Sequence, residues 1–186
     1  MLLSLKTAGI LGGERAPRLD IITVVLFAAT MTGMFLTSTL YHAIQHLDAK
    51  RILRKFDHSV IFIFIAGTYT PFCLSGLGGA WGWSIFAAQW FLAAVGTTMN
   101  ILNLEILKKV KLAVYILMGW AIVIGCVPLF RSVPLQSIIL LVMGGIAYSA
   151  GTIWYRKKNV RHAHAVWHTF VIIGAVCHWF SIWLMF

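Results

Sequence analysis

The sequence predicts an all-α fold, a polytopic transmembrane helix bundle with six full helices and the N-terminal remnant of a seventh. Three observations predict it. First, 60% of the 186 residues are apolar and 11% are charged, with a mean hydropathy of +0.88; soluble domains carry about 25% charged residues. Second, the stretches free of Asp, Glu, Lys and Arg run over 21–47, 58–104, 112–130, 132–155 and 162–186. Each can supply the roughly 20 residues that a helix needs to cross the hydrocarbon core. Third, the cations sit between these runs, where membrane topology collects them.

In chain order, residues 1–13, MLLSLKTAGILGG, are apolar but interrupted by Lys6 and too short to span. They lack a small-x-small cleavage pattern, which reads against a signal peptide and for the tail of a helix whose beginning is missing. Glu14, Arg15, Pro17, Arg18 and Asp20 form a polar link. The first full helix is expected over about Ile21–His42, followed by a basic loop with Asp48, Lys50, Arg51, Arg54 and Lys55. The long run 58–104 holds two helices, divided at Ser75-Gly76-Leu77-Gly78-Gly79, a stretch built to break regular structure. They cover about Phe56–Leu74, with Pro71 near the end, and Ala80–Leu102, entered through Trp81 and Trp83, residues that favour the membrane interface. Lys108, Lys109 and Lys111 precede a fourth helix over Leu112–Phe130. Arg131 and Pro134 mark a tight turn into a fifth over Val133–Tyr155, and Arg156, Lys157, Lys158 and Arg161 lead to a sixth over Ala163–Phe186. By length the whole, 1–186, is one transmembrane domain.

The net charge of +10 does not point to nucleic acid, because the basic residues form neither a face nor a tail. Eleven Lys and Arg fall in the segments near 50, 108 and 158, against four (Lys6, Arg15, Arg18, Arg131) on the other side. The positive-inside rule puts the three basic segments in the cytoplasm and the C-terminus outside. Cys73, Cys126 and Cys177 all lie in apolar runs without CxxC spacing, and read as small buried apolar residues.

Against this background a few polar residues stand out. His164 and His168 lie four apart at the start of the last helix, about 40° apart around its axis and one turn along it, so both rings can reach one atom. His42 closes the first helix with Ser38 one turn before it, and Asp57 opens the second across the basic loop. Three helices thus deliver ionisable residues to one layer near the inner leaflet. Such groups are costly in a membrane unless paired or bound. Three neutral imidazoles suit zinc and leave a fourth position for water; Asp57 could accept its proton or orient it, and Ser38 could hydrogen-bond the same water or an oxyanion. The plainer alternative is that His42, Asp57 and the His164/His168 pair face lipid headgroups at the interface. His178, about 15 Å deeper than His168 and on another face, cannot share the site and is expected to bond a neighbouring helix. His58 points about 100° from Asp57, His46 is in a loop and His162 faces away from His164. The Trp and Phe residues read as interface belts and packing, and Gly144-Gly145 and Gly151 as points of close helix contact.

Taken in order, Ser38-Thr39-Leu40-Tyr41-His42, Phe56-Asp57-His58, Ala66-Gly67-Thr68-Tyr69-Thr70-Pro71 and His164-Ala165-Val166-Trp167-His168 followed by His178 resemble the haemolysin III branch of the progestin and adipoQ receptor (PAQR) family. The resemblance covers about residues 21–186. It implies a bacterial plasma membrane protein of seven helices with the N-terminus inside, zinc on His42, His164 and His168, and Ser38 and Asp57 holding the water. The family's first helix is absent here or reduced to residues 1–13. The wider superfamily includes alkaline ceramidases, so the resemblance implies a zinc-dependent hydrolase of a lipid amide or ester, with membrane lipid as substrate. A receptor or membrane-state sensor with structural zinc is the alternative. A pore-forming cytolysin ranks lower, because the helices are apolar throughout, and no pairing of histidines on facing helices supports a haem protein.

Overall fold

The computed structural model describes residues 18–157 and 159–186; residues 1–13, most of the polar link and Lys158 lie outside them. The described residues are helices joined by short connections, with no strand among them. α1 is Arg18–Ala43, α2 Leu47–Pro71, α3 Gly79–Ile101, α4 Glu105–Trp120, α5 Cys126–Ser132, α6 Leu135–Arg156 and α7 Ala163–Met185. A π-helical segment, Phe72–Leu77, continues α2, and a 3₁₀ segment, Ala121–Gly125, joins α4 to α5. With α4, the 3₁₀ segment and α5 taken as one path, these are the six expected helices. Leu19–Ala43, Leu47–Leu77, Val110–Ser132, Leu135–Arg156 and Ala163–Met185 are long and apolar enough to cross a membrane. The 23-residue α3 has the length, but Gln89, Thr97, Thr98 and Asn100 make it less apolar.

Helix ends differ from the sequence expectation where charge was taken as a stop. The expected basic loop is helical: α2 begins at Leu47 and takes in Asp48, Lys50, Arg51, Arg54 and Lys55. Lys and Arg are good helix formers, Asp48 sits in the first turn where the helix dipole favours an anion, and the His46 ring caps the start by accepting the Ala49 N–H at 3.4 Å. The 31 residues from Leu47 to Leu77 span about 46 Å, more than a hydrocarbon core of roughly 30 Å, so the charged turns can lie beyond it. Lys108 and Lys109 likewise belong to α4.

Proline explains both departures from α geometry. Pro71 has no N–H for the Gly67 carbonyl, and after it the ladder slips to longer bonds that end with Gly78 N–H on Cys73 O at 2.9 Å. The turn that follows needs φ of +60° at Gly78 and +51° at Gly79, which glycine reaches without strain. Pro128, inside α5, takes away the partner of the Ile124 carbonyl and crowds it, which accounts for the 3₁₀ stretch just before it.

The described residues fall into two compact units, one ending at Ile124 and the other Gly125–Phe186. In the first, α2 packs antiparallel to α1 and α3. Gly67 is met by Thr30, Phe27 lies 6.3 Å from Phe64, and Thr23 Oγ1 is 3.2 Å from Ser75 Oγ. Phe62, Ala66, Ala93 and Met118 form one core cluster, and Tyr69, Cys73 and Ile85 another. The carbonyls loosened where α4 gives way to the 3₁₀ segment are taken up by side chains. Gln89 Nε2 donates to Met118 O at 2.9 Å, and Tyr69 OH donates to Gly119 O at 2.8 Å while accepting from Ile122 N–H at 2.8 Å.

In the second unit α6 and α7 form an antiparallel pair along one continuous seam. Ser137 and Ser181 each donate to the other's carbonyl at 2.6 Å. His178 meets the Leu141 carbonyl, the His178 ring packs over Gly144, Tyr148 over Gly174, and Phe170 and Trp167 over Gly151. Tyr155 closes the row 5.3 Å from Trp167. On α6 the row runs Ser137, Leu141, Gly144, Tyr148, Gly151, Tyr155, alternating steps of four and three, the spacing of helices packed at a shallow angle. Small residues let the backbones approach.

Candidate metal-binding site

His164 and His168 lie in the first two turns of α7, whose entry is the left-handed His162 at φ 63°. Their Nε2 atoms are 3.0 Å apart, with the rings nearly perpendicular at 89°. Around the helix axis they lie roughly 60° and 100° from the seam defined by Trp167, Gly174 and His178, so the pair is presented at the side of the hairpin. Two imidazole nitrogens on one tetrahedral zinc at about 2.0–2.1 Å stand roughly 3.3 Å apart. The observed 3.0 Å, a hydrogen-bonding distance between the rings, is within about 0.3 Å of that chord.

In the first unit, His42 lies in the last turn of α1, exposed, its ring 4.9 Å from that of Tyr41. Ser38, one turn earlier, is half-buried. Asp57 does not open α2, as expected, but lies in its third turn. The α1–α2 register shows what it lies beside. Asp57 precedes Gly67, which meets Thr30, and Phe64, which meets Phe27. With equal rise on both helices it comes level with α1 between about residues 34 and 40, the turn that carries Ser38, and His42 is about 6 Å further on.

Within the second unit His164 and His168 offer two imidazole donors to one ion, and within the first His42 is an exposed imidazole at the end of α1. Imidazole donors without a thiolate are the chemistry that suits zinc. Of the remaining histidines, His178 is buried with its Nε2 3.2 Å from Leu141 O, as expected of a residue that ties two helices. His46 caps α2. His58 accepts the Tyr115 hydroxyl on its backbone carbonyl.

The sequence reading missed the polar network beside Asp57. Asn100, near the end of α3, donates through Nδ2 to Lys55 O and to Ser59 Oγ, both at 3.0 Å. Its Oδ1 accepts from Lys111 Nζ at 3.3 Å. Lys111 also lies within Coulombic reach of Arg54 and Asp57. The signal for it was a lone Asn late in an apolar run.

Comparison with known proteins gives a consistent picture. The family model described as "Haemolysin-III related" matches residues 2–179. The chain is 39% identical over 163 residues, 88% of its length and 76% of the relative's, to "Hemolysin-3 homolog" of Bacillus subtilis (strain 168). It is 35% identical to "Hemolysin-3" of Bacillus cereus over 87% of its length and 74% of that protein's. It is 30% identical to human "Monocyte to macrophage differentiation factor" over 87% of its length and 69% of that protein's. No solved structure matches.

Proposed function

The chain belongs to the haemolysin-III related family of integral membrane proteins, and from that premise we propose that it is a zinc-dependent hydrolase of a lipid amide or ester. The observation that carries the proposal is the 3.0 Å separation of the His164 and His168 Nε2 atoms, the spacing of two ligands to one ion. In this reading His42 supplies the third imidazole. Zinc, when bound there, supplies Lewis acidity toward a carbonyl and toward water. The Asp57 carboxylate takes the proton from the attacking water and passes it to the leaving group. The Ser38 hydroxyl donates to the oxygen on which negative charge develops. The apolar helix faces accept the acyl chain, and membrane lipid is the source of substrate.

Metal analysis of the detergent-purified protein tests this. We expect about one zinc per chain in the wild type, lost or much reduced in His42→Ala, His164→Ala and His168→Ala, as removal of one of three protein ligands should do. Equal zinc in all four proteins would refute the assignment. Asp57→Asn should keep the zinc while release of fatty acid from ceramide-like or ester lipids falls by about 10²-fold or more. Full zinc occupancy with no turnover of either lipid class in the wild type would instead favour a sensor with structural metal.

A further inference from the structure

We propose that the corner formed by Arg54 and Lys55 of α2, Asn100 of α3 and Lys111 of α4 binds the phosphate of an anionic membrane lipid. The site lies wholly within the first unit and does not rest on the zinc reading. Its parts are held in place: both Asn100 Nδ2 hydrogens are used, on Lys55 O and Ser59 Oγ, which turns Oδ1 toward Lys111 Nζ. Ser59 is itself buried and accepts Thr97 Oγ1 on its carbonyl at 3.5 Å, so the network has a fixed floor. Lys55 Nζ reaches across to Ile101 O at 3.0 Å, at the carbonyl end of α3.

The acceptors the structure gives the two ammonium groups, Asn100 Oδ1 and Ile101 O, are neutral, and each ammonium has three donors. Half-buried Lys111 senses Arg54 as a like charge and Asp57 as an opposite one. Three cations therefore stand with one carboxylate among them. Arg54 and Lys55 are exposed and Lys111 half-buried, and like charges gathered at one corner repel until an anion joins them. Position selects its source. Lys111 is the second residue of the apolar segment Val110–Ser132, and Lys55 lies in the charged opening of α2, so the corner is where an apolar span begins and lipid phosphates lie. An Arg with two Lys matches a phosphate oxyanion.

The experiment titrates the detergent-solubilised full chain with phosphatidylglycerol, phosphatidylcholine or inorganic phosphate, read by native mass spectrometry. Phosphatidylglycerol should bind at least several-fold more tightly than phosphatidylcholine. Lys111→Gln and Arg54→Gln should each weaken it about fivefold, while Lys111→Arg and the control pair Arg156→Gln with Lys157→Gln retain it. Retention in Lys111→Arg shows that loss in Lys111→Gln is not a folding failure. Equal affinity for the two lipids, or indifference to both neutralising substitutions, would overturn the proposal. Displacement by inorganic phosphate at the same concentration as the lipid would overturn the lipid assignment. Zinc content measured on the same samples should not change in Lys111→Gln, which keeps this test separate from that of the metal centre.

Discussion

Glycine 82 and glycine 33 show how much a single methyl group can matter in these helices. A Cβ on Gly82 would fall on the Cys73 carbonyl, a backbone atom held in the π segment that cannot give way. A Cβ on Gly33 meets nothing within 4 Å. Gly82→Ala should therefore lose about 1–3 kcal/mol, the usual cost of forced overpacking. Gly33→Ala should be neutral or gain up to about 1 kcal/mol from helix propensity. Thermal unfolding in one detergent compares the two, and equal melting temperatures would show that the Gly78–Gly82 turn is not the close approach described. His178 makes the complementary case. It holds the Leu141 carbonyl and lies edge-on to Tyr148 at 5.3 Å, so His178→Ala should lower the melting temperature yet leave zinc in place.

At the scale of elements, the break between α4 and α5 rests on borrowed hydrogen bonds. Tyr69→Phe keeps the ring in its cluster with Cys73 and Ile85 but removes the bonds to Gly119 O and from Ile122 N–H. The backbone groups left without these bonds, in a partly buried place, should cost about 1 kcal/mol or more, seen as earlier unfolding with little change in helical circular dichroism. This element also marks where the sequence could and could not be read. Five apolar runs and a Gly-rich divider were legible because hydropathy and turn chemistry are local properties. Pro128 carried the signal for the 3₁₀ stretch, and the Ser137–Tyr155 spacing carried that for the α6–α7 seam, but a helix hydrophobic on all sides hides such periodicity. The charged openings of α2 and α4 were misplaced because ending a span and ending a helix are different events. For the site, the four-residue spacings of Ser38 with His42 and of His164 with His168 were visible in the chain. The link from Asn100 to Lys55, Ser59 and Lys111 was not, since it depends on how three helices meet.

For the molecule as a whole, orientation in the bilayer follows from charge. Eleven Lys and Arg lie in the three basic segments, against four elsewhere, and an excess of this kind sets topology when it lies close to span ends. Lys50, Arg51, Arg54 and Lys55 do so at the opening of α2, and Arg156 and Lys157 at the close of α6. We therefore expect both ends of the α6–α7 hairpin connection in the cytoplasm and Phe186 outside. In a background with Cys73, Cys126 and Cys177 replaced by serine or alanine, Asn159→Cys should react with a membrane-impermeant maleimide only after the cells are opened. Phe186→Cys should react in intact cells. The reverse pattern would move the His164/His168 pair and the basic corner to the outer leaflet, where the lipids differ. A hydrolase acting there would draw on a different substrate pool, so the labelling experiment also decides which leaflet's lipids are worth assaying.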